Sequence, residues 1–240
     1  VGRLHELDQG LRQAIEIARE FGQLSQWSWG LAVRVCHGDW SGETATILSS
    51  ARQAVEIAER SGAPFFFTQA TALLGDALRL EQRYAEALEV YRRTLDLMHT
   101  KRVALQWRPS VIAARALIDS ARGEHAKAVA QARSALEESV SAGNRFVESL
   151  TGLALARVLL ATGDTGLHDE IEDIVKRGRA LCEQTSTPVH LPPLMEVRAA
   201  LAERRGNPQE ARRQLLEAHR FYTDMGATGH AKRLARGLGL

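Results

Sequence analysis

Residue types that carry out catalysis or bind metals are present in this chain, but their spacing brings no familiar site together. The eight histidines include no pair four residues apart, and the two cysteines, Cys36 and Cys182, are distant in sequence. A zinc site or a disulfide framework needs closer and more regular spacing. Neither the phosphate-loop pattern G-x-x-x-x-G-K-[ST] nor the zinc-protease pattern H-E-x-x-H occurs. We therefore expect no cofactor, no metal and no enzymatic activity.

Charge is distributed unevenly along the chain, although the net charge is only +2. Residues 176–240 carry twelve Lys and Arg against six Asp and Glu, whereas residues 1–175 are slightly acidic. Nucleic-acid binding by single-strand stacking needs aromatic rings between the basic groups, and only Phe221 and Tyr222 are so placed. The basic end is therefore interpreted as a solvated helix surface, and a nucleic-acid partner is not expected.

Composition favours an all-α protein. The chain of 240 residues is 45% hydrophobic, 25% charged and only 5% aromatic, and Ala, Leu, Arg and Glu dominate. Alternating apolar runs typical of strands are missing, and no apolar run reaches the ~18–20 residues of a membrane span. The widely spaced cysteines favour a reducing cytoplasm, and we expect a cytoplasmic protein. Because it begins with Val and not Met, we expect a piece of a longer multidomain polypeptide.

Helical periodicity divides the chain into a leading helix, five helical hairpins and a short closing helix. The leading helix spans residues 4–21, and the closing basic helix spans 230–238. The hairpins are predicted at 24–60, 64–98, 109–142, 146–183 and 194–225, with a turn at Gly38-Asp39 and a proline-containing loop at 185–193. The second helices stop at about 22, 62, 101, 143, 186 and 226, a period near 40. We predict a single domain over residues 1–240.

The stretch 68–101 carries the most specific pattern in the chain. Its key positions are Leu74, Gly75, Leu78, Tyr84, Ala87 and Tyr91. In their order and spacing they resemble the tetratricopeptide repeat, although Thr71 stands where Trp is usual and His99 where Pro is usual. The resemblance implies a right-handed α-solenoid in which Gly75 lies at the close crossing of two helices.

The C-terminal stretch 225–239 carries a second resemblance. Long hairpins that end in "S-G" or "M-G-A", followed by a short basic helix, resemble the C-terminal repeat regions of large bacterial signalling proteins. These are nucleotide-cyclase-like ATPases and ATP-binding transcription regulators. The resemblance implies repeats that sense or relay a signal beside an NTPase module, although no such module is present in these residues.

A superhelix of this kind exposes its first helices on a concave groove, and the clear repeat sets the register of that groove. Side chains predicted to face it, and so to bind a partner, are Trp29, Gln69, Asp76, Arg79 and Arg157. Aromatic and Arg side chains are those on which binding energy concentrates. Trp27 and Trp29 lie about 200° apart on a helix, so we expect one in the core and the other in a groove or an interface.

Three functions remain open at this point. The first is a non-enzymatic protein–protein interaction and regulatory module, whose partner is a peptide, a helix or another domain of the same chain. The second is a small-molecule sensor domain of a bacterial signalling or transcription regulator. The third is a self-assembly scaffold that forms a homo-oligomer.

Overall fold

The computed structural model describes residues 3–240, and the secondary structure of this range is helical throughout. Twelve α-helices are present and no strand occurs within the described range, as the sequence predicts. The helices are α1 (Leu4–Glu20), α2 (Leu24–Ser41), α3 (Ile47–Ser61), α4 (Pro64–Leu80), α5 (Tyr84–Lys101), α6 (Arg108–Ala121), α7 (His125–Ser141), α8 (Arg145–Thr162), α9 (His168–Gln184), α10 (Leu191–Arg204), α11 (Pro208–Met225) and α12 (Thr228–Leu238).

By contact the chain forms two compact units, an N-terminal unit of residues 3–111 and a C-terminal unit of residues 112–240. In the N-terminal unit each helix from α1 to α5 packs on the next one, and α2 also packs on α4. In the C-terminal unit the same holds from α7 to α12, and α8 also packs on α10. The helices α2, α4, α6, α8 and α10 are called first helices below, and α1, α3, α5, α7, α9 and α11 second helices.

Each second helix is followed by a residue in the left-handed backbone region, at or next to the position that the sequence predicts as its stop. Four of these residues are glycines, which adopt positive φ without the steric cost of a Cβ atom. The other two are Arg102 (φ 52°) and Ser186 (φ 50°). Regular spacing of these stops explains why a period near 40 is visible in the sequence.

Two predicted boundaries are wrong. The turn expected at Gly38 lies four residues later, at Gly42, whose φ is 74°. Gly38 instead lies inside α2, because Ile47 of α3 packs directly against the position where a Cβ would be. The loop expected at 185–193 is also shorter, since α10 begins at Leu191 and places two prolines in its first turn, where no backbone N–H donor is needed.

Second helices share a four-position stripe that packs against the first helices. The positions are spaced by four, three and four residues, and the last lies four residues before the left-handed residue. In α5 the stripe consists of Ala87, Tyr91, Thr94 and Met98, and in α7 of Ala128, Ala132, Ala135 and Ser139, and all eight side chains are 0% exposed. Small residues dominate the stripe because they let two helix backbones approach closely.

Gly75 lies at such a close approach, as the sequence predicts. A Cβ atom built on Gly75 would lie 2.6 Å from Cδ1 of Tyr91, and Tyr91 is fully buried. No ordinary van der Waals contact is that short, so the α4–α5 crossing depends on glycine at this position.

The closing helix α12 begins two residues earlier than expected and packs on α11. Leu234 and Leu238 are its buried residues, at 6% and 7% exposure, as the sequence predicts. These two side chains cover apolar surface on the last hairpin. A terminal helix in a repeat protein has this capping role.

Candidate functional site

Three aromatic side chains form a partly exposed group on neighbouring first helices of the N-terminal unit. Trp29 lies on α2, and Phe65 and Phe66 lie in the first turn of α4. The rings of Trp29 and Phe66 meet edge to face at 6.5 Å, and those of Phe65 and Phe66 at 5.4 Å. Trp29 remains 37% exposed and Phe65 36% exposed. These three residues are called the aromatic group below.

The two tryptophans of α2 divide as the sequence predicts. Trp27 packs against the buried cluster that contains Leu31, Ile57 and Ala70, whereas Trp29 faces solvent. Large exposed aromatic side chains are unusual on the surface of a soluble repeat and mark candidate contact points for a partner.

A polar cluster lies on the same two first helices. Tyr91 of α5 donates a hydrogen bond of 2.6 Å from its hydroxyl to Oδ1 of Asp76, and Nε of Arg79 lies 3.8 Å from the same oxygen. Nε of Arg79 is buried and has no hydrogen-bond partner within the described part of the chain. Cys36 of α2 is close enough for the charges of Asp76 and Asp39 to act on its thiol.

The electrostatics of this cluster follow from burial. Burial raises the pKa of the Asp76 carboxyl, and the positive charge of Arg79 and the Tyr91 hydrogen bond only partly oppose it. Burial also raises the pKa of the Cys36 thiol, and the carboxylates of Asp76 and Asp39 raise it further. A nucleophilic or metal-binding cysteine needs its thiolate form, so this environment does not activate Cys36.

The structure brings four of the five predicted binding residues into the N-terminal unit, with different degrees of access. Trp29 is exposed, whereas Gln69 is 5% exposed. The side chains of Asp76 and Arg79 are 31% and 20% exposed, and both interact within the cluster described above. A partner would therefore meet Trp29 directly and Asp76 and Arg79 only at their outer edges.

The fifth predicted residue, Arg157, lies in the C-terminal unit on α8. It is exposed in the middle of a run of buried residues, and its guanidinium has no hydrogen bond or ion pair with any residue from 3 to 240. Its charge acts on Glu196 of the next first helix, α10, and on Tyr222 of α11. An exposed cation on a first helix remains available to an external anion.

Glu196 is the centre of a second polar cluster. Tyr222 donates a hydrogen bond of 2.7 Å to its Oε1, and Arg233 of α12 donates one of 2.8 Å to the same oxygen. The ring of Tyr222 stacks on that of His230 at 4.7 Å. Burial alone would raise the pKa of the Glu196 carboxyl, but the hydrogen bonds from Arg233 and Tyr222 outweigh it and hold the pKa below its ordinary value.

Sequence reasoning missed several of these residues. Phe65 and Phe66 directly follow Pro64 at the start of a predicted first helix, so their position could have been noticed. The pairing of Glu196 with Arg233 joins residues 37 positions apart, and no local pattern indicates it.

A serine, a cysteine and a histidine also meet inside the C-terminal unit. Oγ of Ser149 lies 3.0 Å from Nδ1 of His190 and 3.8 Å from Sγ of Cys182. All three side chains are at most 4% exposed. Nucleophilic catalysis requires access for a substrate, so this arrangement links α8, α9 and the turn before α10 as buried core polar contacts.

An open cavity of about 360 Å³ lies between α7, α8 and α9 of the C-terminal unit. Its lining is mainly apolar and includes Leu136, Gly152, Ile174 and Leu181. At one end the buried carboxylate of Glu148 accepts a hydrogen bond of 2.8 Å from Nε of Arg177. The cavity is small enough for a side chain or a small organic molecule.

Residues 3–240 contain no group of three or more His, Cys, Asp or Glu placed to hold a metal ion. Of the helices between residues 3 and 240, none combines the length and apolar character that crossing a membrane requires.

Twelve α-helices, packed as successive hairpins within each unit, define an all-α protein with a helical-repeat arrangement. No protein-family model and no curated protein matches the sequence. Among solved structures, the chain is similar to BtubC (BKLC) from P. vanneervenii, with a TM-score of 0.60 and 17% sequence identity. The match covers 92% of this chain and 92% of that chain. At this identity the similarity shows the fold alone.

Proposed function

We propose that the chain is a non-enzymatic interaction module of tetratricopeptide-like repeats that binds a peptide or helix of a partner through its first helices. The aromatic group carries this proposal, because Trp29 and Phe65 expose large rings on adjacent first helices. Aromatic anchors of this kind supply much of the energy in peptide recognition. A regulatory role beside a signalling ATPase, in the cytoplasm of a bacterium, agrees with the sequence resemblance and with the two free cysteines.

Asp76 and Arg157 extend the proposed recognition beyond apolar contact. Asp76 offers one carboxylate oxygen that Tyr91 does not occupy, and Arg157 offers a guanidinium that forms no hydrogen bond within the described chain. We propose that they select charged groups on a partner. The right-handed solenoid of five hairpins, and its continuity as one domain, belong to the same proposal. A small-angle scattering profile of the chain would test the continuity, and a crystal structure would test the hand.

A displayed library of random peptides selected on the intact protein tests the binding function without a known partner. We expect selected peptides to bind with micromolar affinity and to quench the fluorescence of Trp29. Replacing Trp29 with Ala should weaken binding at least ~10-fold, since a buried aromatic anchor is typically worth more than about 1.4 kcal/mol. Arg157→Ala should weaken only the acidic peptides.

Leu105→Ala provides the control, because Leu105 is a large exposed apolar residue of the same unit, 43% exposed, that lies outside the aromatic group. Binding that is lost with Leu105→Ala and retained with Trp29→Ala would contradict the proposal. A set of peptides whose binding affinity is unchanged by both substitutions would also contradict it.

The cavity between α7, α8 and α9 favours a second candidate, a small-molecule sensor. Its apolar lining and the single buried Glu148 suit a ligand with an apolar body and one polar group. Gly152→Leu tests it: a Cβ at Gly152 would lie 3.6 Å from Ile174 Cγ2, so the larger side chain would enter the cavity. A metabolite that stabilises the parent against heat, but not this variant, would support sensing. Light scattering of the intact chain tests the third candidate, self-assembly.

A further inference from the structure

The second helix α1 carries the same stripe as the other second helices, but the third of its four positions is exposed. Counting back from the left-handed Gly22, the stripe positions are Leu7, Leu11, Ala14 and Ala18. Leu11 and Ala18 are buried against the next first helix, α2. Ala14 is exposed, whereas Ala54 in α3, Thr94 in α5, Ala135 in α7 and Ala218 in α11, at the same stripe position, are all 0% exposed.

The neighbouring position shows the same contrast with a larger side chain. Ile17 lies three residues after Ala14; its counterparts Ile57 in α3 and Leu181 in α9 are buried, and those in the other second helices, Leu97, Glu138 and Phe221, are half-buried. Ile17 is 46% exposed, against 2% for Ile57 and 1% for Leu181. Phe21, one turn further on, is 74% exposed, and a Cβ added to the exposed Gly10 would meet nothing within 4 Å.

Gly10, Ala14, Ile17 and Phe21 therefore form a continuous open stripe on α1, with spacings of four, three and four residues. Small residues at one end permit close approach of a helix backbone, and large apolar residues at the other end offer area to bury. At the position equivalent to Ala14, the side chains of α3, α5, α7 and α11 are fully buried between packed helices, so the chain itself shows that an α-helix covers this part of the stripe.

Charges beside the open stripe define the helix that fits it. On the side away from α2, the row at seven-residue spacing is Glu6, Gln13 and Glu20, and Glu16 lies beyond it. Among residues 3–240, Glu6 is the only one of these acidic residues with an ion pair, which it forms with the exposed Arg3 at 2.8 Å. In an antiparallel pair of two α1 helices the same acidic row would face itself, which disfavours a second copy of this chain.

We propose that the open stripe of α1 binds an amphipathic helix of a partner protein, one with a stripe of small and apolar residues flanked by Lys or Arg. The bound helix would occupy the place that a first helix takes on the other second helices. This surface lies on a second helix and involves neither the aromatic group nor Arg157, so its test is independent of the function proposed above.

Two synthetic peptides serve as probes of the intact chain. Both keep the apolar positions of α8 (residues 145–162) on a helical background, and their flanking positions are Lys in one and Glu in the other. By fluorescence anisotropy we expect the Lys peptide to bind with micromolar affinity and at least ~10-fold more tightly than the Glu peptide. Higher salt should reduce this preference, because surface charges are screened.

Variants of the chain locate the site. Ala14→Glu and Ile17→Glu should each weaken the Lys peptide at least ~10-fold, because they place a charge in an apolar contact. Val140→Glu is the matched control, since Val140 is 51% exposed, lies on α7 and is not part of the open stripe, and it should leave binding unchanged. Circular dichroism melting verifies that all three variants fold.

Four results would overturn the proposal. Neither peptide binds at millimolar concentration, or both bind equally, or Ala14→Glu and Ile17→Glu behave like Val140→Glu. In the fourth, light scattering shows the parent chain as a dimer that Ile17→Glu converts to a monomer, which would assign the stripe to a second copy.

Discussion

Each unit of the molecule contains a buried tyrosine of a second helix that donates a hydrogen bond to a carboxylate on a first helix. In the N-terminal unit Tyr91 bonds to Asp76, and in the C-terminal unit Tyr222 bonds to Glu196. The two pairs differ in their cation. Arg79 is 3.8 Å from Asp76, whereas Arg233 donates a 2.8 Å hydrogen bond to Glu196.

Because the cations differ in distance, the pKa values of the two carboxylates shift in opposite directions. Burial dominates at Asp76 and raises its pKa, whereas hydrogen bonds from Arg233 and Tyr222 dominate at Glu196 and lower its pKa. A charged donor at hydrogen-bond distance compensates desolvation, and one at ion-pair distance does so only in part. The helix α12 thus contributes a charge to the core of the last hairpin in addition to its two buried leucines.

The largest loss of stability is expected at Gly75, which packs against the ring of Tyr91. Gly75→Leu forces the α4 backbone away from the ring of Tyr91, and overpacking of this kind costs about 1–3 kcal/mol. It should also disturb the Tyr91–Asp76 hydrogen bond. Urea denaturation of the variant and the parent measures the free energy of unfolding.

Gly152→Ala is the control for Gly75→Leu. A Cβ at Gly152 would lie 3.6 Å from Cγ2 of Ile174, an ordinary contact, and alanine favours a helix over glycine by up to ~1 kcal/mol. This variant should be as stable as the parent or more so. An unchanged unfolding midpoint for Gly75→Leu would show that the α4–α5 crossing tolerates a side chain there.

The next largest loss of stability is expected on removal of a tyrosine hydroxyl, and it should differ between the two tyrosine–carboxylate pairs. Tyr91→Phe leaves Asp76 with no hydrogen bond from a protein donor, and loss of a buried hydrogen bond to a charged group costs about 1–3 kcal/mol. Tyr222→Phe leaves Glu196 with its bond from Arg233, so its cost should be smaller, about 0.5–1.5 kcal/mol. Urea denaturation of both variants compares them, and an equal or larger loss for Tyr222→Phe would show that Arg233 does not compensate.

Sequence periodicity predicted the helices well, because left-handed residues and small-residue stripes are local signals. Its errors at the α2–α3 turn and at the start of α10 have separate causes. A glycine such as Gly38 can serve a close helix crossing as well as a turn, and the two uses look alike in sequence. Pro192 and Pro193 were interpreted as a loop, although proline is compatible with the first turn of a helix.

The candidate site was predicted only in part. Register from the clear repeat placed Trp29, Asp76 and Arg79 on first helices, where the structure has them. It did not show that Gln69 is buried, nor that Tyr91 bonds to Asp76, because both depend on how deeply neighbouring helices pack. The Glu196–Arg233 pair depends on where α12 packs, which a single repeat unit does not encode.

The smallest expected effect is the dependence of folding stability on pH. Asp76 and Glu196 should contribute to it with opposite signs. The raised pKa of Asp76 means that the folded state binds a proton at a higher pH than the unfolded chain does. Stability contributed at this site therefore falls as pH rises from the ordinary Asp value, about 4, through the raised folded pKa. Compared with Asp76→Asn, whose amide oxygen still accepts from Tyr91, the parent chain should lose stability across that window.

Glu196 should behave in the reverse manner, because its folded pKa lies below the ordinary Glu value of about 4.3. The unfolded chain then binds the proton first as pH falls, so the stability contributed at Glu196 is present above that value and is lost as pH drops through the folded pKa. Compared with Glu196→Gln, the parent chain should gain stability as pH rises through this lower window. Thermal unfolding of the parent and both variants between about pH 3.5 and 7 separates the two slopes. Slopes of the same sign would mean that the Arg79 charge stabilises ionised Asp76 as fully as Arg233 stabilises Glu196, and the contrast between the two units would then not hold.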